Sequence, residues 1–496
     1  MESGDFIISG RVLTRYCGPG GEVTVPWGVT RIGANAFSDC GAVTAVHLPD
    51  SMLGIDNHAF YRCAGLRRVD FPPFLKEIGY AAFRGCGALE QVLLPDPVRE
   101  LAFNVFSDCL ALRRAVLPAK LTQLEAAFVG CRSLESIEIA AENPHFYTVD
   151  GVLFSRDGAL IRYPPQKKAA AYDVPPGIRR LAYSAFEQCA HLTRVGLPDS
   201  LTEIGAYAFL NCKSLDLSAF PPGLQRIGIG AFCGCESLKS ISLPDRLTEL
   251  GRGAFKQCAQ LRAVRLPDSL QAVELLTFAD CGALERVDLP AGLREIRYEA
   301  FRGCGKLARI SLPAGLWFIH PGAFRDCVSL QSVALPARRF VIKGDAFRGC
   351  IGLARVTVQD CASPGFPETP ARASSVGDHA FHGCRSLMQV ALPADTRKIG
   401  IGAFFGCVSL PRIDLPQTVI KLGKGAFRGC ISLRQITLPS RLQTLKEEAF
   451  CGCAALARIT LPDGEIRTGK SMNLPWESAL RDPPQKEQQN GIKILK

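Results

Sequence analysis

Histidine, methionine and tryptophan are scarce in this 496-residue chain, with 7, 4 and 3 copies. The histidines are scattered, so no H-E-x-x-H zinc pair exists, and neither a G-x-S-x-G elbow nor a glycine-rich phosphate loop followed by Lys-Ser/Thr occurs. These absences argue against the common hydrolytic and nucleotide-dependent chemistries, and no enzyme activity, cofactor or metal is expected. No run of eighteen apolar residues is present to span a bilayer as a helix. The start, Met1-Glu-Ser-Gly-Asp-Phe6, lacks a basic segment followed by an apolar run, so the cytoplasm is the expected compartment. Cell-surface display or secretion by a non-standard route is the alternative. Charge of one sign is not concentrated either. The net charge of +11 is spread along the chain, whereas dedicated nucleic-acid binders cluster it and interleave aromatic residues.

What the chain has in abundance is repetition. Phenylalanine is followed three residues later by cysteine seventeen times, from Phe37 and Cys40 to Phe450 and Cys453. Fourteen of the sixteen intervals between those phenylalanines are 22 or 23 residues. A period in the low twenties belongs to solenoids, in which one coil cannot bury its apolar face alone and must stack on its neighbours. The hydrophobic share of 47% and charged share of 21% are ordinary for a folded chain.

One repeat, Cys235 to Cys258, shows how a coil is built. Leu238, Ile241 and Leu243 end in a period of two, which places Ser240 and Ser242 on the outer face of a short strand. Pro244 ends that strand because it has no N–H to donate. Leu247 and Leu250 lead to Gly251, placed where a side chain would be crowded, and Ala254-Phe255-x-x-Cys258 reads as a tight helical or 3₁₀ turn. The L-P step, the I-G turn and the A-F-x-x-C signature together resemble the BspA-like leucine-rich repeats of bacteria, over about residues 5 to 464. The opening Phe6 to Tyr16 and the segment Asn143 to Pro164 are similar to parts of the same family. That resemblance implies a binding or adhesion module without catalysis.

The expected fold is therefore an α/β repeat solenoid, mostly short β-strands, wound as a right-handed leucine-rich solenoid of about seventeen coils. The expected organisation is an N-terminal capping coil at 1–35, repeats at 36–139, a modified coil at 140–183 and repeats at 184–360. A proline-rich surface loop at 361–378, repeats at 379–464 and a disordered tail at 465–496 complete it. The modified coil fills an interval of 58 residues from Phe128 to Phe186, and Asp157-Gly158 between apolar runs predicts a β-hairpin with a type I′ turn there. The loop fills the interval of 34 residues from Phe347 to Phe381.

Seventeen of the 21 cysteines occupy the same repeat position, which predicts a column of buried free thiols packing as small hydrophobes. Cys384, although close to His379 and His382, belongs to that column and is expected to be inert. Cys17, Cys233, Cys361 and Cys451 lie outside it and are expected to be exposed thiols.

The positions that differ between coils carry the functional signal. Just before the inward Val or Ile of each strand stands Arg68, Arg114, Arg194, Arg286, Arg309, Arg355, Arg412 or Arg458, with Gln or Ser at several other coils. This predicts a broken guanidinium row on the concave strand surface. Asp70, Asp288 and Asp414 sit two residues from Arg68, Arg286 and Arg412 and partly cancel them. A second basic series, Arg84, Arg302, Arg325, Arg348 and Arg428, follows the Phe column and reads as a solubilising edge.

Guanidinium forks suit carboxylate and phosphate. The function expected is a non-enzymatic, monomeric protein-binding scaffold with an acidic protein partner, contacted through Arg286, Arg309 and Arg355 in the regular central coils. An adhesin for host or microbial ligands, and a binder of anionic glycan or nucleic acid through the Arg row, are the alternatives.

Overall fold

Each repeat spends its backbone on three hydrogen-bonded columns and makes no helix. The structure, a computed structural model, describes residues 4–217, 219–337, 340–359 and 373–460, together with the backbone of two strands, Arg467–Thr468 and Lys493–Leu495. In the coil ending at Cys258, Ser240–Ser242 enters one parallel ladder and Glu249–Leu250 a second. Pro244 lacks a donor but its carbonyl accepts from Leu247 N at 3.0 Å, which turns the chain between the two strands. A Cβ on Gly251 would lie 2.4 Å from the carbonyl carbon of Gly228, so the close approach of successive turns requires glycine here.

The third column replaces the expected helical turn, and no helix occurs among the described residues. Residues two before and two after the phenylalanine have positive φ: Leu276 (58°) and Asp280 (63°) flank Phe278, as His58 (58°) and Arg62 (57°) flank Phe60. A left-handed residue at each side interrupts the run of right-handed dihedrals a helix needs. The freed backbone groups bond to the next turn instead. Phe278 N donates to Ala300 O at 2.8 Å and Asp280 N to Arg302 O at 2.7 Å.

Residues 1–217 form one compact unit. It opens with an antiparallel hairpin, Phe6–Ser9 with Val12–Tyr16, and then alternates the two parallel ladders with a 23-residue step, as in Arg68 opposite Ala45 and Glu77 opposite Gly54. The hairpin expected in the modified coil has a third strand: Phe146–Val149 pairs antiparallel with Val152–Ser155, which pairs antiparallel with Ala159–Arg162. The type I′ signature falls at Asp150 (φ 48°) and Gly151 (φ 73°), not at Asp157-Gly158, where only the glycine is left-handed and a bulge accompanies the longer loop. Phe37, Phe60, Phe83, Phe106 and Phe128 stack with ring centroids 4.8 to 5.9 Å apart. Tyr16 stacks on Phe37 at 4.9 Å and Tyr163 on Phe186 at 5.2 Å. Two turns without a Phe-x-x-Cys pair thus carry tyrosine in the ring column, which is why the turns outnumber the seventeen expected coils.

Beside Tyr163 lies a buried ion pair. Arg162 and Glu187 are each 4% exposed, with Arg162 Nη1 3.5 Å from Glu187 Oε2 and also donating to Ser184 O. Glu187 Oε2 in turn accepts from Gly130 N at 3.1 Å, so the turn after the modified coil is bonded to the turn before it.

Residues 218–496 form the second unit. One of its ladders carries nine parallel strands in unbroken order, from Ala272–Val273 to Arg467–Thr468. The ladders run across the 34-residue interval without losing register, pairing Val341 with Ser375 and Arg355 with Gln389. Ser375–Val376, inside the segment expected as loop, is therefore a strand, because its apolar residue is needed to continue the ladder. The proline-rich part, 361–372, lies outside the described residues, as does the expected tail apart from two strands that pair with Thr444–Leu445 and Arg458–Thr460. From Phe232 to Phe450 the rings stack at 5.2 to 5.7 Å and within 12° of parallel, including Phe347 on Phe381. Offset-stacked pairs add roughly 0.5–1.5 kcal/mol each beyond area burial.

Phe301→Ala is expected to destabilise its unit by about 3–5 kcal/mol, read by chemical denaturation, because it empties one layer of a continuous stack. Glu187→Ala is expected to cost a similar amount, about 3–5 kcal/mol, by leaving the Arg162 charge buried without its partner. A loss below about 1 kcal/mol for either would contradict the packing described.

Candidate binding surface

The arginines singled out in the sequence do share one column. In the second unit the register places Ser240, Ala263 and Arg286 side by side, then Arg309, Ser332, Arg355 and Gln389, then Arg412, Gln435 and Arg458. In each strand the next residue, such as Val287, Ile310 or Val356, is buried, and the alternation turns the arginine outward into solvent. Adjacent strands lie roughly 4.8 Å apart, so Arg309 and Arg355 stand about 10 Å apart across Ser332.

Their electrostatic settings differ. Arg286 Nε donates to Asp288 Oδ1 at 2.9 Å, and this contact raises the arginine pKa while occupying part of its fork. Among the described residues Arg309, Arg355, Arg412 and Arg458 make no ion pair. Asp414 therefore does not hold Arg412 as Asp288 holds Arg286. In the first unit the equivalent arginines are engaged: Arg68 with Asp70 at 2.7 Å, Arg114 with both oxygens of Glu138 at 2.7 Å, and Arg194 with Asp173 at 3.1 Å. The Arg114 hydrogen bond holds the Glu138 carboxyl below its ordinary range. Burial pushes Asp70 up, but its bonds to Arg68 and His47 outweigh that and leave it lowered.

The basic series after the Phe column is not a loose solubilising fringe. Arg302 bridges Asp280 at 2.8 Å and Glu299 at 2.9 Å, Arg84 meets Asp108 at 3.2 Å, and Arg428 bonds Glu448. These guanidinium groups stitch neighbouring turns and are half-buried. Cys451, expected as an exposed thiol, is 2% exposed, while Cys233 is half-buried and Cys17 is exposed. Cys361 lies outside the described residues.

No described cysteine is in a disulfide. Column thiols donate to the carbonyl of the phenylalanine one turn back, Cys63 to Phe37 O at 2.9 Å and Cys258 to Phe232 O at 3.3 Å. Burial pushes Cys131 up to about 12 and Cys384 well above the ordinary thiol value. Cys384 is thus held as a thiol, without the nucleophilic thiolate that catalysis would need. His379 and His382 approach at 3.4 Å between Nδ1 atoms, and His382 stacks on Phe405 with its pKa lowered by burial, Arg348 and His379. Among the described residues no group of three or more His, Cys, Asp or Glu is placed to hold a metal ion, and no helix is long and apolar enough to cross a membrane.

A sizeable hollow lies on the other ladder, away from the Arg column. It is a groove of about 1140 Å³ on the second ladder of the first unit, with Arg31, Glu77, Tyr80 and Phe103 among its walls. The sequence reading missed it, although two aromatic residues just after successive turns of the ladder, Tyr80 and Phe103, were a visible signal.

A family model described as BspA type leucine rich repeat region (6 copies) matches residues 23–155, 168–283, 249–365 and 353–472. Among solved structures, the chain is similar to a leucine rich cell surface protein from Faecalibacterium prausnitzii, at 29% identity over 58% of this chain and 94% of that one, with a TM-score of 0.45. A leucine-rich repeat protein from Bacteroides ovatus is 24% identical over 93% of this chain and 92% of that one, with a TM-score of 0.42. The pneumococcal vaccine antigen PcpA is 19% identical over 73% of this chain and 98% of that one, with a TM-score of 0.48. No curated protein matches the chain.

Thiol labelling of the native protein near pH 8 is expected to modify Cys17 quickly, while Cys131, Cys258 and Cys384 react only on unfolding, as peptide mapping would report. Rapid native labelling of those column positions would contradict their burial.

Proposed function

This chain belongs to the BspA-type leucine-rich repeat family, and from that premise we propose that it is a monomeric, non-enzymatic protein-binding scaffold whose Arg-bearing strand face takes an acidic partner. The observation that carries this reading is the register of Arg309, Ser332, Arg355 and Gln389 on four consecutive strands, with both arginines exposed and without an ion pair among the described residues. Strands fixed by a continuous ladder hold the two arginines at a set distance, so little ordering of the scaffold is required when a partner docks. Carboxylates three residues apart on a polyproline II chain lie on one face about 9 Å apart, which matches that spacing. Each can accept two parallel N–H bonds from one fork. Arg286 belongs to the same face but must first release Asp288, so its contribution is the smallest of the three. Cytoplasmic residence is part of the proposal, and membrane-impermeant labelling of intact cells tests it: labelling before lysis would move the function to the cell surface.

The binding test uses a fluorescent proline-rich peptide that holds a Glu-x-x-Glu pair on one face of a polyproline II helix, titrated by anisotropy against the full chain. Joint replacement Arg309→Ala and Arg355→Ala is expected to weaken binding about a hundredfold, roughly tenfold per fork, and Arg286→Ala by less. Raising the salt concentration should weaken the native complex as well. Equal binding by a folded double variant would remove the Arg column from the function.

A further inference from the structure

The groove on the second ladder of the first unit has a chemistry unlike the Arg column. Its floor is closed to strand addition, because the backbone bonds from turn to turn, Gly79 N to Ile55 O at 2.8 Å and Thr122 N to Arg99 O at 2.7 Å. An incoming peptide would find no free row of donors and acceptors to extend. Charges of both signs line the walls in near balance, four basic residues against five acidic ones. Two of those acids are already taken, since Arg31 bonds Asp56 and Glu77 at 2.5 and 2.6 Å. Such a wall favours neither a polyanion nor a polycation, and its fixed ion pairs still present lone pairs and N–H groups to a neutral polar ligand.

The groove also carries aromatic rings at its edge. Tyr80 is 39% exposed and Phe103 half-exposed, at equivalent positions in consecutive turns. Tyr80 is braced edge-on by His58 at 5.2 Å, and its backbone N–H is held by Asn57 Oδ1 at 2.8 Å. Phe103 is braced edge-on by Tyr183 at 5.7 Å. A turn advances roughly 4.8 Å, close to the length of one hexose unit in an extended oligosaccharide. Rings at that interval would offer apolar surface to successive sugar rings, with the exposed Gln123, the Arg31 cluster and Lys76 in the same groove as partners for hydroxyl groups. Two smaller hollows on the second ladder of the other unit, about 670 and 530 Å³, have no aromatic residue in their walls.

We infer that the groove between Arg31 and Glu125 is a binding site for a neutral oligosaccharide, with Tyr80 and Phe103 as stacking platforms and Gln123 as a hydroxyl-reading amide. It uses residues and a ladder separate from the Arg column, and lies in the unit that does not carry Arg309 and Arg355, so it stands whether or not those arginines bind an acidic protein.

The test is calorimetry of the full chain with cellohexaose, maltohexaose, mannohexaose and N-acetylchitohexaose in turn, with a heparin fragment as the charged comparison. At least one neutral hexasaccharide is expected to bind with an affinity insensitive to a roughly tenfold rise in salt. Tyr80→Ala and Gln123→Ala are each expected to weaken it about tenfold or more, while the Arg309→Ala, Arg355→Ala double variant binds it as the native chain does. Should Tyr80→Ala fail to fold, Gln123→Ala decides alone, because Gln123 is an exposed strand residue. Binding of none of the four neutral probes, binding of heparin alone, or unchanged affinity in the folded Gln123→Ala variant would overturn the assignment.

Discussion

The stack of aromatic rings, one per turn, is the constraint on which the rest of the structure depends. To keep its ring in the stack while its N–H reaches the carbonyl of the next turn, each phenylalanine must sit in a segment that reverses hand on both sides. Leu276 and Asp280 around Phe278 accept left-handed dihedrals for that reason, a conformation uncommon for residues other than glycine. Alanine before the ring, fully buried at Ala254 and Ala300, leaves room for the neighbouring turns. Cysteine after it is small enough to stay in the core and donates weakly to the carbonyl one turn back, so no polar group is stranded there.

With the interior so uniform, difference between turns can accumulate only on the outside. The two ladders use that freedom differently. The first turns the residues on either side of its buried Val or Ile outward, and the one before it gives a row of forks at fixed spacing. The second places its outward residues and the residues after its turns around a groove in the first unit. Surface ion pairs such as Arg68 with Asp70 contribute about 0–1 kcal/mol and do not hold the fold together. What they do is set which guanidinium groups are already occupied, and that separates Arg309 and Arg355 from Arg68, Arg114 and Arg194.

Much of this was legible from the chain alone. Period-two alternation ending at a proline located the first strands, and stacking in constant register then put the arginines in one column. The A-F-x-x-C segment was misread as helical because a compact apolar spacing looks the same in a helix and in a run of turns. The distinguishing sign was the Gly, Asn or Asp at positions flanking the ring, as at Gly230 and Gly234 or Asn104 and Asp108, all with positive φ. Tyr16 and Tyr163 escaped notice as members of the ring column because the cysteine that marks the other turns is missing from theirs. The Arg162 and Glu187 pair could not be read at all, since nothing in sequence announces that two residues 25 apart will be buried together beside an irregular turn.

The sequence by itself determined the repeat, the family, the buried thiols and which residues face outward on the first ladder, because each follows from a local period that identical turns must share. Only the tertiary structure decided the hand reversals at the rings, the extra strand of the modified coil, the occupancy of each arginine and the groove beside Tyr80 and Phe103. Those depend on distances between turns that are neighbours in space and 23 residues apart in the chain, where a local pattern carries no information about which side chains meet.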